Sequence, residues 1–376
     1  MERFDVVILG AGMAGASLAW ALAGKRRRVL LLEQESQPGY HSTGRSAATL
    51  HRSYGNATVR ALTAASAPFY LDPPHGFSEV PLARPLGIVM VARGDQLVAL
   101  EAEIERSRRF VAEVERLDAG ACLARIPLLR ADQVAGGMYD PTMLDLDVNA
   151  IHTAFLKGAR ARGAVVRGDA ALDAIEQAGA GWRLRVRAEP IACDVLVNAS
   201  GAWADTVAER VGLAPLGIVP MRRTAIIVAA PSGMAVERWP MVADVEEAWY
   251  VKPDAGRLLC SPADETPTPP CDAQPDELDV AICVERIEAA FDLRIRRIES
   301  RWAGLRSFAR DRTPVVGFDP RAEGLFWLAG QGGYGIQTAP ALAALAAAII
   351  AGDPAASHLG GIDPATLSPA RLLEMP

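Results

Sequence analysis

Several things are scarce in this chain of 376 residues, and each shortage narrows what it can be. Its five cysteines (Cys122, Cys193, Cys260, Cys271 and Cys283) are odd in number and never spaced as CxxC. Neither a disulfide framework nor a zinc site is therefore expected, and the compartment reads as reducing. There is no sustained basic run, and Lys plus Arg number 39 against 45 for Asp plus Glu. Nucleic-acid binding needs a phosphate-neutralising surface, so such a partner is not expected. Long apolar runs are also missing. The stretch from Ala339 to Ala351 is too short to span a bilayer and contains Pro340. The apolar N-terminus opens with Glu2, Arg3 and Asp5 and is broken by glycines, so it reads as a first strand and not a signal peptide. A cytoplasmic protein without an integral membrane segment is the expectation. No internal repeat, metal-ligand cluster or Ser/His/Asp arrangement emerges.

Half of the residues are apolar and 22% are charged, which is a globular composition. Single cores stop growing at roughly 250 residues, so this length suits two lobes. Phe4 to Leu9 is a continuous apolar run, as in a strand buried on both faces of a parallel sheet. Gly10-Ala-Gly12-Met-Ala-Gly15 follows at once, then Ala14 to Ala23 at helical spacing, and Arg28 to Leu32 is a second strand ending at Glu33. Pro38 to Ser53 reads as a long loop with one helical turn. Leu86 to Ala92, Thr224 to Ala230, Trp249 to Pro253 and Arg257 to Pro262 read as strands of an antiparallel second lobe. Gln96 to Glu115 and Glu277 to Ala290 read as helices. Asp194 to Asn198 reads as a short buried strand closed by a turn, and the Pro-rich Pro267 to Pro275 as a surface loop.

G-x-G-x-x-G carries weight here because it lies between a strand and a helix with an acid closing the next strand. Gly10 permits the tight turn, Gly12 admits a pyrophosphate and Gly15 lets helix and strand pack closely. The phosphates then meet the N–H groups of the helix start. Glu33 accepts from a ribose 2′-hydroxyl and repels a 2′-phosphate. NAD and FAD share this fingerprint, so the second glycine cluster, Gly330 to Gly335, decides between them. It precedes a C-terminal helix starting near Gly335, whose positive end suits the pyrimidine side of a flavin.

The chain resembles the D-amino-acid oxidase superfamily of flavoproteins, and within it the bacterial D-arginine and D-amino-acid dehydrogenases. The resemblance is carried along nearly the whole length by GAGMAGAS (10 to 17), QPGYHSTGRSAA (37 to 48), YDP (139 to 141), VNASGAW (197 to 203), KPDAG (252 to 256), WAGLRSF (302 to 308) and QGGYGIQT (331 to 338). It implies an α/β protein with a Rossmann-like FAD-binding domain (residues 1–78, 142–212 and 303–376) and a mainly antiparallel-sheet, α+β substrate domain (79–141 and 213–302). Cofactor contacts are implied at Gly10, Gly12, Ala14, Gly15, Glu33, Gln34, Ser42, Thr43, Gly44, Arg45, Ser46, Ala47, Ala171, Ala199, Gly201 and Trp203. Gly332, Gly333, Tyr334, Gly335, Ile336, Gln337 and Thr338 would serve the flavin end. No cysteine lies near WAGLRSF, where relatives with covalent FAD carry one, so FAD is expected to be noncovalent.

Oxidising an amino acid requires a grip on its carboxylate and a path for hydride from Cα to flavin N5. Arg306 and Arg223 match the family's carboxylate clamp, as forks that pair bidentately. Arg222 is expected to face away, on the other side of the strand. Tyr250 matches a hydroxyl on the carboxylate and Tyr54 a loop tyrosine over the substrate, while Thr49, His51, Met241 and Gly333 are further substrate-side candidates. Two departures stand out: Thr49 replaces a His, and Leu86, Gly87 and Ile88 lack the acid that pairs a guanidinium tail in arginine-preferring relatives. Asp244 is the group that could restore that charge, and His41 and His51 are further polar candidates near the site. Oxidative deamination of D-amino acids to 2-oxo acids and ammonia is therefore expected, with a quinone or oxygen as acceptor. An oxidase of glycine- or sarcosine-like amines and a noncatalytic dinucleotide-binding protein are the alternatives.

Overall fold

The computed structural model describes residues 1–25, 27–353 and 361–373. Within the segments expected to carry the cofactor, residues 26, 354–360 and 374–376 lie outside the described residues. Glu2–Leu9 sits in the middle of an eight-stranded sheet, between Val29–Leu32 and Glu189–Asn198, parallel to both. Val165–Arg167 extends the parallel order on one side and Leu325–Ala329 on the other. Gly181–Val186 runs antiparallel beside the first half of Glu189–Asn198, and Leu172–Ala178 pairs antiparallel with its far edge. The fully buried VLLL of Val29–Leu32 is what a strand covered on both faces demands. Helices Met13–Ala23, Ala57–Leu71, Val148–Ala161 and Gly335–Ala351 pack together in the core that includes Leu18, Leu22, Phe155 and Leu345. Trp20, Phe69, Phe77 and Phe155 fill its edge with ring centroids 4.9 to 5.7 Å apart.

A nine-stranded sheet forms the other layer. Its pairings are antiparallel except between Ile88–Ala92 and Met241–Asp244, which fits the expected mainly antiparallel sheet. Its two longest strands, Val219–Ala229 and Ile298–Phe308, pair along almost their whole length. The expected strand at Leu86 starts at Ile88 instead, because Gly87 holds φ +70° with its Cα against the Tyr139 ring. The helix expected over Gln96 to Glu115 stops at Arg108, and the chain turns to bury Val111 and Val114 before the strand Glu115–Asp118. Inside the loop expected from Pro38 to Ser53 lies the strand Thr49–Leu50, part of a third, three-stranded sheet with Leu144–Leu146 and Ala83–Pro85. All five cysteines are free thiols. Among the described residues no helix is long and apolar enough to cross a membrane, and no cluster is suited to a metal ion.

Candidate active site

The glycine turn is built by exclusion. Gly10 has φ +96°, and a Cβ there would lie 2.6 Å from the Ala199 carbonyl oxygen; a Cβ on Gly15 would lie 1.9 Å from the Gly10 carbonyl oxygen. Only hydrogen fits at either place. Glu33 closes the turn from below, accepting from Ala11 N at 2.9 Å and from Glu35 N at 3.2 Å. Thr43 reaches the helix start, where Met13 N donates to its Oγ1 at 2.9 Å. The expected loop from Gly39 to Ala47 is thus tied to the first helix, and it is also tied to the second sheet. Ser42 donates to the Leu305 carbonyl at 2.6 Å, Arg45 to the carbonyls of Ala273 and Ala303 at 2.8 and 3.1 Å, and Trp302 Nε1 to the Arg45 carbonyl at 3.0 Å.

Between these parts runs one elongated cavity of about 310 Å³. Gly10, Gly12, Ala14, Glu33 and Gln34 line one end, with Ala171, Ala199, Gly201 and Trp203 alongside. Ser42, Thr43, Arg45, Ser46 and Ala47 line its middle, while Gly332, Gly333, Gly335, Ile336, Arg223, Tyr250 and Arg306 close the other end. The seventeen-residue helix Gly335–Ala351 begins at that end with no acidic residue in its first turn, so its positive pole faces the cavity unneutralised. Glycine cradles at Gly12 and Gly333, a helix start at each end and an acid beneath the turn form a donor set that fits an extended FAD.

The sheet register places the clamp. Met221 is opposite Arg306, and Arg223 lies two residues along, so Arg223 and Arg306 share a face. Arg222 takes the opposite face and donates to Asp279 at 2.9 and 3.2 Å. Arg223 is anchored, with Nε on the Asp264 carbonyl at 2.7 Å and Nη2 on Glu265 at 3.2 Å. Arg306 has no hydrogen-bond acceptor among the described residues; a Cβ on Gly333 would lie 3.0 Å from its Nη1. Burial lowers the Arg223 guanidinium below its ordinary value and the Arg306 charge lowers it further. Burial acts the same way on Arg306, but the fields of Tyr250, Tyr54, Glu265 and Tyr334 outweigh it and hold that cation firmly. Burial also pushes the Tyr54 phenol up to about 12, against the pull of Arg306. Two adjacent cations, one without a partner, call for an anion.

Nine of the expected residues are not in the cavity wall. Gly15 serves helix packing, and Gly44 closes a turn in which a Cβ would meet the Gly39 carbonyl oxygen at 2.8 Å. The Gln337 side chain is a buried strut, accepting from His51 N at 3.2 Å and donating to Thr63 at 2.8 Å, which leaves its backbone for the expected flavin contact. The Thr338 hydroxyl likewise turns inward and donates back to the Tyr334 carbonyl at 2.7 Å. Tyr334 packs edge-on against Tyr54 and Phe308, behind the wall. Tyr54 stands at the same end, felt by Arg306 and Arg223, with its ring outside the wall itself. Thr49 and Met241 are strand residues paired with Asp145 and Ile88, and His51 is buried beside Ser53.

Asp244 is also corrected. Its Oδ2 accepts from Glu246 N and Ala248 N at 3.0 and 3.2 Å and its Oδ1 from Gln96 at 3.0 Å, so it staples its own turn. That turn instead carries Glu247, at φ +59°, into the field of Arg223, Tyr54 and Tyr334. Glu247 and Glu265 are the site acids that sequence reading missed, because only the tertiary fold brings them to the clamp. Ser307 and Gln331 also line the cavity, and both lie inside motif blocks where they could have been found.

The match to the family model "FAD dependent oxidoreductase" runs over residues 5–349. Glycine oxidase of Geobacillus kaustophilus is 26% identical over 358 residues, covering 93% of each chain. Its crystal structure superposes with a TM-score of 0.84 over 96% of this chain and 98% of that one, at 25% identity. The L-α-glycerophosphate oxidase of Mycoplasma pneumoniae, with FAD bound, shares the fold alone, at TM-score 0.85 and 16% identity over 93% of this chain and 95% of that one. The chain belongs to this family of FAD-dependent oxidoreductases, and FAD is its cofactor.

Proposed function

We propose that the protein oxidises the Cα–N bond of D-amino acids with neutral side chains, giving 2-oxo acids and ammonia. The observation that carries this reading is Arg306, a cation held in a cavity wall without a hydrogen-bond acceptor among the described residues and next to the anchored Arg223. The substrate carboxylate is the missing partner, and its two oxygens suit two forks. Tyr250 adds a phenol from the strand Tyr250–Asp254, which Arg257–Ser261 separates from Val219–Ala229, and Tyr54 covers the same end from its loop. Bound noncovalently, FAD supplies the two-electron acceptor. Loss of the Cα hydrogen as hydride from the neutral amine would leave an iminium ion, which water hydrolyses to the 2-oxo acid and ammonium. Residues 1–78, 142–212 and 303–376 are assigned to holding FAD, and 79–141 and 213–302 to substrate. The strand Ile298–Phe308 crosses that boundary without a break, so Arg306 and the cofactor wall share one rigid element.

Neutral side chains are favoured because Leu86, Gly87 and Ile88 offer no charge, Asp244 is consumed in its turn, Glu265 is already paired with Arg223 and Arg312, and burial pushes the Glu247 carboxyl up towards its neutral form. A cationic tail without a counter-ion loses several kcal/mol on desolvation. Steady-state kcat/KM for D-leucine, D-methionine and D-phenylalanine should exceed that for D-arginine. The opposite order, abolished by Glu247→Gln, would move specificity to the hairpin acid and refute the neutral-tail reading. A second reading, favoured by the resemblance to a glycine oxidase over 93% of both chains, is oxidation of glycine- or sarcosine-like amines with oxygen as acceptor. Hydrogen peroxide release with glycine and not with D-leucine would select it.

A further inference from the structure

Behind Tyr54 lies a polar cluster that the substrate clamp does not use. His51 and Asp140 are both buried, Asp140 with no exposure at all. The Oδ1 of Asp140 accepts from Thr142 N and Thr142 Oγ1 at 2.8 and 2.7 Å, while its Oδ2 has no hydrogen-bond partner among the described residues. That oxygen is 3.6 Å from His51 Nε2, and the same nitrogen is 2.9 Å from the Ser53 hydroxyl. The imidazole stacks on the Tyr54 ring, centroids 6.0 Å apart and planes 10° off parallel. The backbone repeats the link, because Tyr54 N donates to the His51 carbonyl at 3.3 Å and His51 N to Gln337 at 3.2 Å.

We propose that His51 is a positioning residue for Tyr54: its ring chooses between Ser53 and the unpartnered oxygen of Asp140, and that choice sets where Tyr54 stands over the substrate end of the cavity. With the ring neutral, Ser53 donates to Nε2, as the shorter distance indicates, and Tyr54 stands near Arg306. When the ring is protonated, Nε2 becomes a donor, and a buried carboxylate oxygen without a hydrogen bond is its strongest acceptor. The ring turns toward Asp140 and takes Tyr54 with it. The charges facing His51 are Asp140 from the strand Gly136–Asp140 and Glu103 and Arg106 from the helix Leu97–Arg108. Glu103 and Arg106 pair with each other, so their fields on the ring oppose. Burial holds the imidazole below its ordinary 6.5, so the neutral state prevails at neutral pH and is lost in mild acid.

The role of Tyr54 in covering substrate rests on the proposed function, but the coupling of the two rings does not. The holoenzyme, labelled with ¹³C in its tyrosine rings, gives six ring environments, and Tyr54→Phe identifies the one of interest. The Tyr54 resonance should move as pH falls below 6.5 in the wild type and stay still in His51→Gln. Ser53→Ala, which removes the partner of the neutral ring, should move the midpoint to higher pH. A Tyr54 resonance indifferent to pH, the same movement in His51→Gln, or an unchanged midpoint in Ser53→Ala would each overturn the coupling. With turnover, KM should rise several-fold across the same pH interval while kcat changes less, and His51→Gln should flatten the KM component alone. If no amine is turned over, the proposed reaction fails while the resonance measurement still decides the coupling.

Discussion

Arg306 is preorganised by what surrounds it more than by what it bonds. Gly333 leaves room for its guanidinium, and the phenols of Tyr250 and Tyr54 supply a polar wall without neutralising it. Removing one fork leaves a buried substrate charge underpaired, at about 2 to 5 kcal/mol. Arg306→Ala should therefore lose roughly a thousandfold in kcat/KM, and near-normal kinetics would take Arg306 out of the site. Arg223→Ala should lose less, since Glu265 and the Asp264 carbonyl already engage that side chain. Gly333→Ala should raise KM with little change in kcat, because the new methyl pushes the flexible end of Arg306 from its place; unchanged steady-state constants would deny that contact. Tyr54 stays protonated until about pH 12, being a group whose neutral form burial favours. Tyr54→Phe should accordingly weaken substrate capture without removing any inflection near pH 10 from the rate profile; a lost inflection there would show the phenol ionising.

The elements that carry the site were legible to different depths, and the difference is physical. The turn Gly10 to Gly15 was readable because each glycine answers a local demand, a positive φ or a close backbone, that needs no distant partner. The strand Val219–Ala229 could be found from its apolar run, but its register against Ile298–Phe308 was not in the pattern. That register is what puts Arg223 beside Arg306. The inward side chain of Gln337 is not legible either, because its place in a glycine-rich block says nothing of the helix phase that turns it toward His51 and Thr63. Gly15→Ala tests the element directly. A methyl placed 1.9 Å from the Gly10 carbonyl oxygen must separate helix from strand, so the purified variant should lose bound FAD and melt at lower temperature. Full flavin content and an unchanged Tm would contradict the packing role of this glycine.

Across the whole molecule, one cavity joins the two large sheets, and the loop from Gly39 to Ala47 is bonded to both of its sides. The architecture was readable early, because a buried parallel strand, a glycine turn and a run of edge-punctuated strands each have a local signature. The acids Glu247 and Glu265 were not, since their meaning depends on which loops meet at the cavity mouth. In the proposed function, a carboxylate caught by Arg306 is what commits an amine to oxidation. Anaerobic mixing of the yellow holoenzyme with D-leucine, and separately with isoamylamine, which has the same tail and no carboxylate, tests it most directly. D-leucine should bleach the flavin in the wild type, isoamylamine should not, and Arg306→Ala with full flavin content should be bleached by neither on the same time scale. Equal bleaching by both compounds, or bleaching of Arg306→Ala by D-leucine at the wild-type rate, would contradict it.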